Sequence, residues 1–394
     1  MNKKLTLGTA VALMILVAAM TFSITMTVVT RFGFSSSLPD LAGGADTESK
    51  IKTFERLIDE NFYKDADKQA LADGIAAGFI AGLGDRYSEY MNADTYAKEK
   101  QNNQGKNVGI GINIMRDESG YVLVQSVNPD SPAEKAGVTA GDLIVKVENT
   151  DVLETGYDEA YLKLLGEVGT RCVFTVRRDG KDIDMDVVRE EYESVSVYFR
   201  MIGGVGYIKI TGFHDNTPDQ FEDALDSLRE QKPKGLVFDL RNNGGGTLDS
   251  VAKMLDILLP EGDIVSAVYK GGDKEVLYTS DENEIDLPMN VLINGGTASA
   301  SELFAAAIRD YGKGKLVGEN SYGKGVMQRT YELDDGSAVK LTVALFNPPS
   351  GKNFNEKGLA PELEVILTDE QKENFLTLTD ENDPQLTTAV KDLE

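Results

Sequence analysis

Cysteine and histidine each occur once in the 394 residues, at Cys172 and His214. A lone cysteine forms no internal disulfide, and one histidine leaves no Cys/His set of the kind that holds zinc, so neither a metal nor a cofactor is expected. A hydrolase built on this chain therefore takes His214 as its general base or dispenses with histidine altogether. Basic charge is also scarce. Forty Lys and Arg against 65 Asp and Glu give a formal net charge of -25, so no basic surface dominates as nucleic-acid binding requires. The remainder is ordinary for a folded protein: 41% hydrophobic and 27% charged residues argue against long disordered stretches. The length suits two or three domains, and no tandem repeat is apparent.

Charge is absent altogether from residues 5–30, with Lys3 and Lys4 before the run and Arg31 after it. A helix needs ~20 residues to cross ~30 Å of hydrocarbon, so the run predicts a transmembrane anchor. The lysines favour an amino-terminal end in the cytoplasm. The rival is a cleaved signal peptide, whose apolar core is usually ~7 to 15 residues and ends in a small-residue site; no clean site is present. Either reading exports everything after Arg31, placing the bulk of the chain on the extracytoplasmic side of the cell membrane. Residues 1–33 are thus read as cytoplasmic tip and anchor, and the Ser-, Gly- and Asp-rich residues 34–46 as a linker.

Three further segments follow. In 47–105, Ile51, Phe54, Leu57, Ile58 and Phe62 recur at helical spacing, and a second helical run over 68–81 ends in Gly82-Leu-Gly84. In 106–190, strands are expected at 108–114 and 121–127. A capping box at Ser131-Pro-Ala-Glu134 opens a short helix, another helix carries Tyr157, Tyr161, Leu164 and Leu165, and a hairpin turns at Asp179-Gly180. This order reads as a small, partly open β-barrel. In 191–394, strands alternate with helices as in an α/β core. Two strand, Gly-rich turn, helix units stand out, one through Asn242-Asn-Gly-Gly-Gly246 and one through Asn294-Gly-Gly-Thr-Ala-Ser-Ala-Ser-Glu302.

The second unit sets Ser299 where a strand hands over to a helix. Amides at a helix start are unpaired and carry positive partial charge, which suits an oxyanion. A serine there is commonly just a cap, although Thr297 or Ser301 can cap while Ser299 does chemistry. The Asn242–Gly246 turn can bring a further amide to the same point, because glycine lets the main chain approach closely. Lys324, between Gly323 and Gly325, acts as a base only when neutral, which demands burial and polar neighbours. An exposed Gly-Lys-Gly turn is the plainer reading. Gln328, four residues on, shares a face with Lys324 if the segment is a strand, and can orient the amine.

Three runs, Gly235-Leu-Val-Phe-Asp-Leu-Arg-Asn-Asn-Gly-Gly-Gly246, Asn294 to Glu302, and Val317-Gly-Glu-Asn-Ser-Tyr-Gly-Lys-Gly-Val-Met-Gln328, closely resemble the carboxy-terminal processing peptidases, or tail-specific proteases. Thr211-Gly-Phe-His214, Leu83-Gly-Asp85 and Asp335-Gly-Ser-Ala-Val-Lys-Leu-Thr342 also match, and the similarity covers about residues 50–361. The resemblance implies a crotonase-like α/β protease core with Ser299 as nucleophile, Lys324 as general base and Gln328 holding the lysine. It further implies an oxyanion hole from the Gly245 and Ala300 amides, with Glu302 and Asp310 as supporting acids and His214 as structural. Residues 106–190 resemble the family's PDZ domain, an insert whose signature is Val108, Gly109, Ile110, Gly111 and Ile112. In such domains, loop amides bind a terminal carboxylate and the peptide adds a strand to the sheet. Tyr157, Tyr161 and Leu164 either line that groove or pack the core. The chain departs from the family at Arg86, where proline is common, and at Leu345-Phe346, where Arg-Tyr is common.

The expected function is a membrane-tethered serine endopeptidase that grips the apolar carboxy-terminal tail of a protein through its PDZ domain, needs no cofactor and forms a homodimer. Arg177 or Arg178 is expected to contact the protease domain in one state. The alternatives are a catalytically inactive membrane-tethered PDZ scaffold, a Ser–His mechanism through His214, and acyl-thioester chemistry on the same Gly-rich turns.

Overall fold

The computed structural model describes residues 46–394, so the anchor expected at 5–30 lies outside the described residues. Among the described residues no helix is long and apolar enough to cross a membrane. Residues up to Leu71 and residues from Ala72 onward form two compact units. In the first, helix Thr47–Asn61 forms where the recurrence of Ile51, Phe54, Leu57 and Ile58 predicts it, yet none of its residues is buried and Phe54 and Leu57 are exposed. Helix Lys68–Ala81 follows and stops at the predicted Gly-rich end.

The predicted strand at 108–114 is two strands, Lys106–Gly109 and Ile112–Arg116, because Gly111 takes φ 83° and breaks the run. The first pairs with Glu190–Glu193. The second is the outermost of a sheet ordered Ile112–Arg116, Val122–Val127, Leu143–Val147, Arg171–Arg178, Lys181–Val188. The hairpin turns at Asp179 and Gly180 as predicted, both with positive φ. The capping box is only half present: Ser131 Oγ accepts the Glu134 amide, whereas the Glu134 carboxylate reaches the Asp130 amide rather than that of Ser131.

The α/β core holds a sheet ordered Val197–Ile202, Val205–Ile210, Leu236–Asp239, Met289–Ile293, Gly314–Gly318, Leu363–Glu364, parallel except for its first pair. Its central strands Leu236–Asp239 and Met289–Ile293 are buried along their whole length and apolar except for Asp239 and Asn290, because both faces are covered. Phe238, Val291 and Ile293 pack with helices Thr217–Arg229, Leu248–Leu258 and Ala300–Asp310. The intervening Val237 and Leu292 pack with Leu386, Ala389 and Val390 of helix Pro384–Lys391, as period-two alternation requires.

A second sheet, unanticipated from sequence, joins Gly262–Tyr269, Lys274–Ser280, Val326–Glu332 and Ala338–Asn347 to the short strand Glu89–Met91. Glu89 lies opposite Lys340, so the expected helical segment 47–105 overlaps the domain expected at 191–394. A three-residue strand is too short to display a period in sequence. Helix Ala93–Asn103 then leads into the β-rich domain that begins with strand Lys106–Gly109.

Candidate active site

Strand Met289–Ile293 hands over to helix Ala300–Asp310 through a turn that ends at Ser299, which adopts φ 59° and ψ -119°. That is a strained conformation for a residue with a Cβ, and surrounding hydrogen bonds hold it. The Ser299 amide donates to Glu302 Oε2 at 2.9 Å. Neither Thr297 nor Ser301 is the cap, since Ser299 itself occupies that position. Thr297 Oγ1 instead pins the turn, donating to Leu240 O at 2.8 Å and accepting the Asn294 amide at 3.0 Å, while Ser301 Oγ is buried without a partner among the described residues.

The two Gly-rich turns are fastened to one another. Asn242 N donates to Asn294 Oδ1 and Asn294 Nδ2 donates to Asn242 Oδ1, both at 2.9 Å; Ala298 N donates to Asn243 O at 3.0 Å. Gly245 takes φ 104°, and a Cβ there would stand 2.8 Å from Ala298 O and 3.0 Å from Ala300 N, so both the angle and the close approach require glycine. Its amide is committed to Asn243 Oδ1 at 2.9 Å, whereas the Ala300 amide, at the helix start, has no acceptor among the described residues. Phe213 braces this wall: its N–H donates to Gly245 O and its carbonyl accepts from Thr247 N. His214 does not line the cavity around Ser299. Its amide donates to Thr217 Oγ1 at 2.9 Å, and burial holds its imidazole below the ordinary 6.5.

Lys324 is joined to Ser299 through one carboxylate. Glu302 is fully buried, not an exposed helix charge. Its Oε2 accepts the amides of Ser299 and Lys324 at 2.9 and 2.8 Å, and its Oε1 accepts Ser321 Oγ and the Gly323 amide at 2.5 and 2.7 Å. The other supporting acid, Asp310, accepts the Ser350 amide at 3.1 Å and so holds the Pro349-Ser-Gly351 turn. Burial, and next the Lys340 cation, hold the Lys324 ammonium below its ordinary 10.5, with Glu89 opposing. The Lys324 amine lies 4.7 Å from the Tyr87 ring centroid and makes no hydrogen bond to Ser299 in this structure.

Ser299, Ala300, Lys324 and Gln328 line one cavity of ≈ 470 Å³. Strand alternation does not bring Gln328 beside Lys324, because strand Val326–Glu332 starts after Lys324 and bulges between Met327 and Gln328. The Gln328 amide nitrogen donates to Val326 O and Thr342 Oγ1 at 3.3 and 3.2 Å, leaving Oε1 without a donor among the described residues. No cluster among the described residues has the make-up of a metal site.

At the PDZ signature, Val108 and Gly109 pair with Glu191 and Glu190, and Ile110 is buried in the domain core. Gly111 abuts Ser131, and Ile112 begins the strand whose outer edge is unpaired among the described residues. Leu164 is core, Tyr157 is packed against it, and Tyr161 is exposed. Neither Arg177 nor Arg178 contacts the protease core in this structure. Arg177 pairs with Asp182, and Arg178 with the buried Asp142 and with Gly137 O.

The model of peptidase family S41 matches residues 204–365, a PDZ domain model matches 108–188, and the activating protease CtpB N-terminal domain matches 17–95. The chain is 34% identical to the carboxy-terminal processing protease CtpA of Bacillus subtilis, over 85% of this chain and 72% of that protein. It is 31% identical to a CtpA-like serine protease of Staphylococcus haemolyticus, over 92% and 74%. An S41 protease structure from Bacteroides fragilis shares its fold at a TM-score of 0.57 with 18% identity, covering 84% of this chain and 91% of that one.

Proposed function

The chain belongs to the carboxy-terminal processing proteases of peptidase family S41, serine-type peptidases with a PDZ domain, and from that premise we propose that Ser299 and Lys324 cleave proteins held by their carboxy-terminal tails. The observation that carries the reading is the buried Glu302 carboxylate, which binds the main chain of both residues and so fixes them at one cavity. Swung off the Tyr87 ring, the neutral Lys324 amine takes the Ser299 Oγ proton as Oγ attacks the scissile carbonyl carbon. The tetrahedral oxyanion meets the Ala300 amide, and a second amide comes from the Gly-rich turn once Gly245 N–H leaves Asn243 Oδ1. The lysine ammonium then protonates the departing amine, and water hydrolyses the acyl-enzyme through the same lysine. Gln328 Oε1, lacking a donor, accepts from the Lys324 amine and aims it.

Tail capture falls to the PDZ domain. The unpaired edge of strand Ile112–Arg116 suits an added strand, and the Ile110 and Gly111 amides, without acceptors among the described residues, suit a terminal carboxylate. The uncharged residues 5–30 support a membrane anchor, and the exposed Phe54 and Leu57 support a homodimer through the helical segment. Mass spectrometry of products from one tail-bearing protein tests the central reading. Wild type is expected to cut it, and Ser299→Ala and Lys324→Ala to leave it intact. Full cleavage by either variant defeats the proposal.

A further inference from the structure

The cavity around Ser299 has three cations on its wall, Arg86, Lys324 and Lys340. Lys340 is held between Glu89 and Glu99 at 2.9 and 2.8 Å, and Lys324 is the base of the reading above. Arg86 has no carboxylate partner among the described residues. Its chain neighbour Asp85 is engaged elsewhere, accepting Ser88 Oγ at 2.5 Å and the Tyr87 amide at 3.4 Å. The Arg86 guanidinium lies instead 4.6 Å from the Tyr87 ring centroid and 5.5 Å from that of Tyr322. Tyr322 is tied to the nucleophile's turn, its amide donating to Thr297 O at 3.0 Å. Aromatic faces restrain a guanidinium by its own face and leave its in-plane N–H donors free for a ligand. A chain of net charge -25 repels acidic substrates at long range, so an unpaired cation at the cleft is where such a substrate would find a counter-charge.

We infer that Arg86 is a specificity residue of the cleavage site, binding an aspartate or glutamate side chain that flanks the scissile bond. The planar fork of its donors fits a carboxylate through two parallel hydrogen bonds. The inference rests on the Ser299–Lys324 reading, and the test separates the two. Peptides identical except for Glu, Gln or Lys at each position flanking the scissile bond are hydrolysed by the full chain, Arg86→Gln, Arg86→Glu and Ser299→Ala. At one flanking position the Glu peptide should exceed the Gln peptide in kcat/KM by about fivefold in low salt, chiefly through KM, and the advantage should shrink as ionic strength rises. Arg86→Gln should bring that ratio to about one, and Arg86→Glu should turn the preference towards the Lys peptide. A wild type indifferent to Glu at every position overturns the inference, as does a Glu preference that survives Arg86→Gln. Arg86→Gln slowing all peptides equally with a displaced pH profile also overturns it, assigning Arg86 to the surroundings of Lys324. Hydrolysis that persists in Ser299→Ala instead removes the catalytic reading, whatever Arg86 does.

Discussion

At the residue scale the site turns on how one buried carboxylate is spent. Each oxygen of Glu302 takes two donors, so a glutamine in its place presents an NH2 group to donors whichever way it is flipped. An unsatisfied buried donor costs about 1–3 kcal/mol, and misplacing a reacting group by ~1 Å costs ~10²-fold in rate. Glu302→Gln is therefore expected to melt below wild type and to lose about two orders of magnitude in kcat, measured by thermal unfolding and peptide hydrolysis. Lys324 has a stability consequence of the opposite sign. Its folded pKa is depressed, so below the ordinary 10.5 the unfolded chain holds a proton that the folded chain resists. That penalty grows as pH falls from 10.5 through the folded value, and Lys324→Met, which removes it, should melt above wild type at pH 7 by calorimetry. Ser299 and Lys324 were legible from their glycine-rich settings and the family resemblance. The bridging by Glu302 was not, because Ser321, Gly323 and Lys324 reach it only after the chain has passed through strand Gly314–Gly318.

Elements read most clearly where local chemistry decides them. Helix Thr217–Arg229 opens on a proline in its first turn, and strand Met289–Ile293 is an apolar run, broken only by Asn290, that leads into the Gly-rich turn at Asn294. The second sheet escaped notice because Lys274–Ser280 and Val326–Glu332 are largely exposed and carry no apolar alternation, and because Glu89–Met91 finds its partner only at the far end of the chain. What fixes the Gly-rich turn from below was equally hidden. Arg241, just before Asn242, binds Asp239 through two nitrogens at 2.9 and 2.7 Å and Asp383 at 2.8 Å, all three residues being buried. Tyr207 OH donates to Asp239 at 2.7 Å. Burial opposes ionisation of Asp239, but Arg241 prevails and holds it below the usual carboxylate range. Breaking one partner of a buried pair costs about 3–5 kcal/mol. Arg241→Met should lower the free energy of urea unfolding by that order and loosen helix Pro384–Lys391, seen as faster amide exchange over that helix. Wild-type stability with unchanged exchange would refute this role.

For the whole molecule, the PDZ domain and the peptidase domain occupy separate stretches of the chain, to which the proposal assigns tail capture and cleavage, and the sequence disclosed that division through a change from β-barrel to α/β patterning. The boundary before the PDZ domain was less legible, because strand Glu89–Met91 returns the amino-terminal side to the catalytic sheet. At Gly111, φ is 83° and a Cβ would stand 2.2 Å from Ser131 Cβ. Gly111→Val should therefore displace the signature loop and weaken binding of an apolar peptide with a free carboxylate at least tenfold by fluorescence anisotropy. The amidated peptide should bind weakly to both proteins; equal binding of the two peptides to wild type would remove the carboxylate from the recognition scheme. The central claim, that a neutral Lys324 activates Ser299, is tested most directly by the rate at which a fluorophosphonate probe labels the full chain across pH, with the modified residue mapped by mass spectrometry. The account expects a single adduct on Ser299, forming faster as pH rises through a midpoint below 10.5, and a rate in Lys324→Ala that is near background at every pH. An adduct on another residue, or a Lys324→Ala rate equal to wild type, would contradict it.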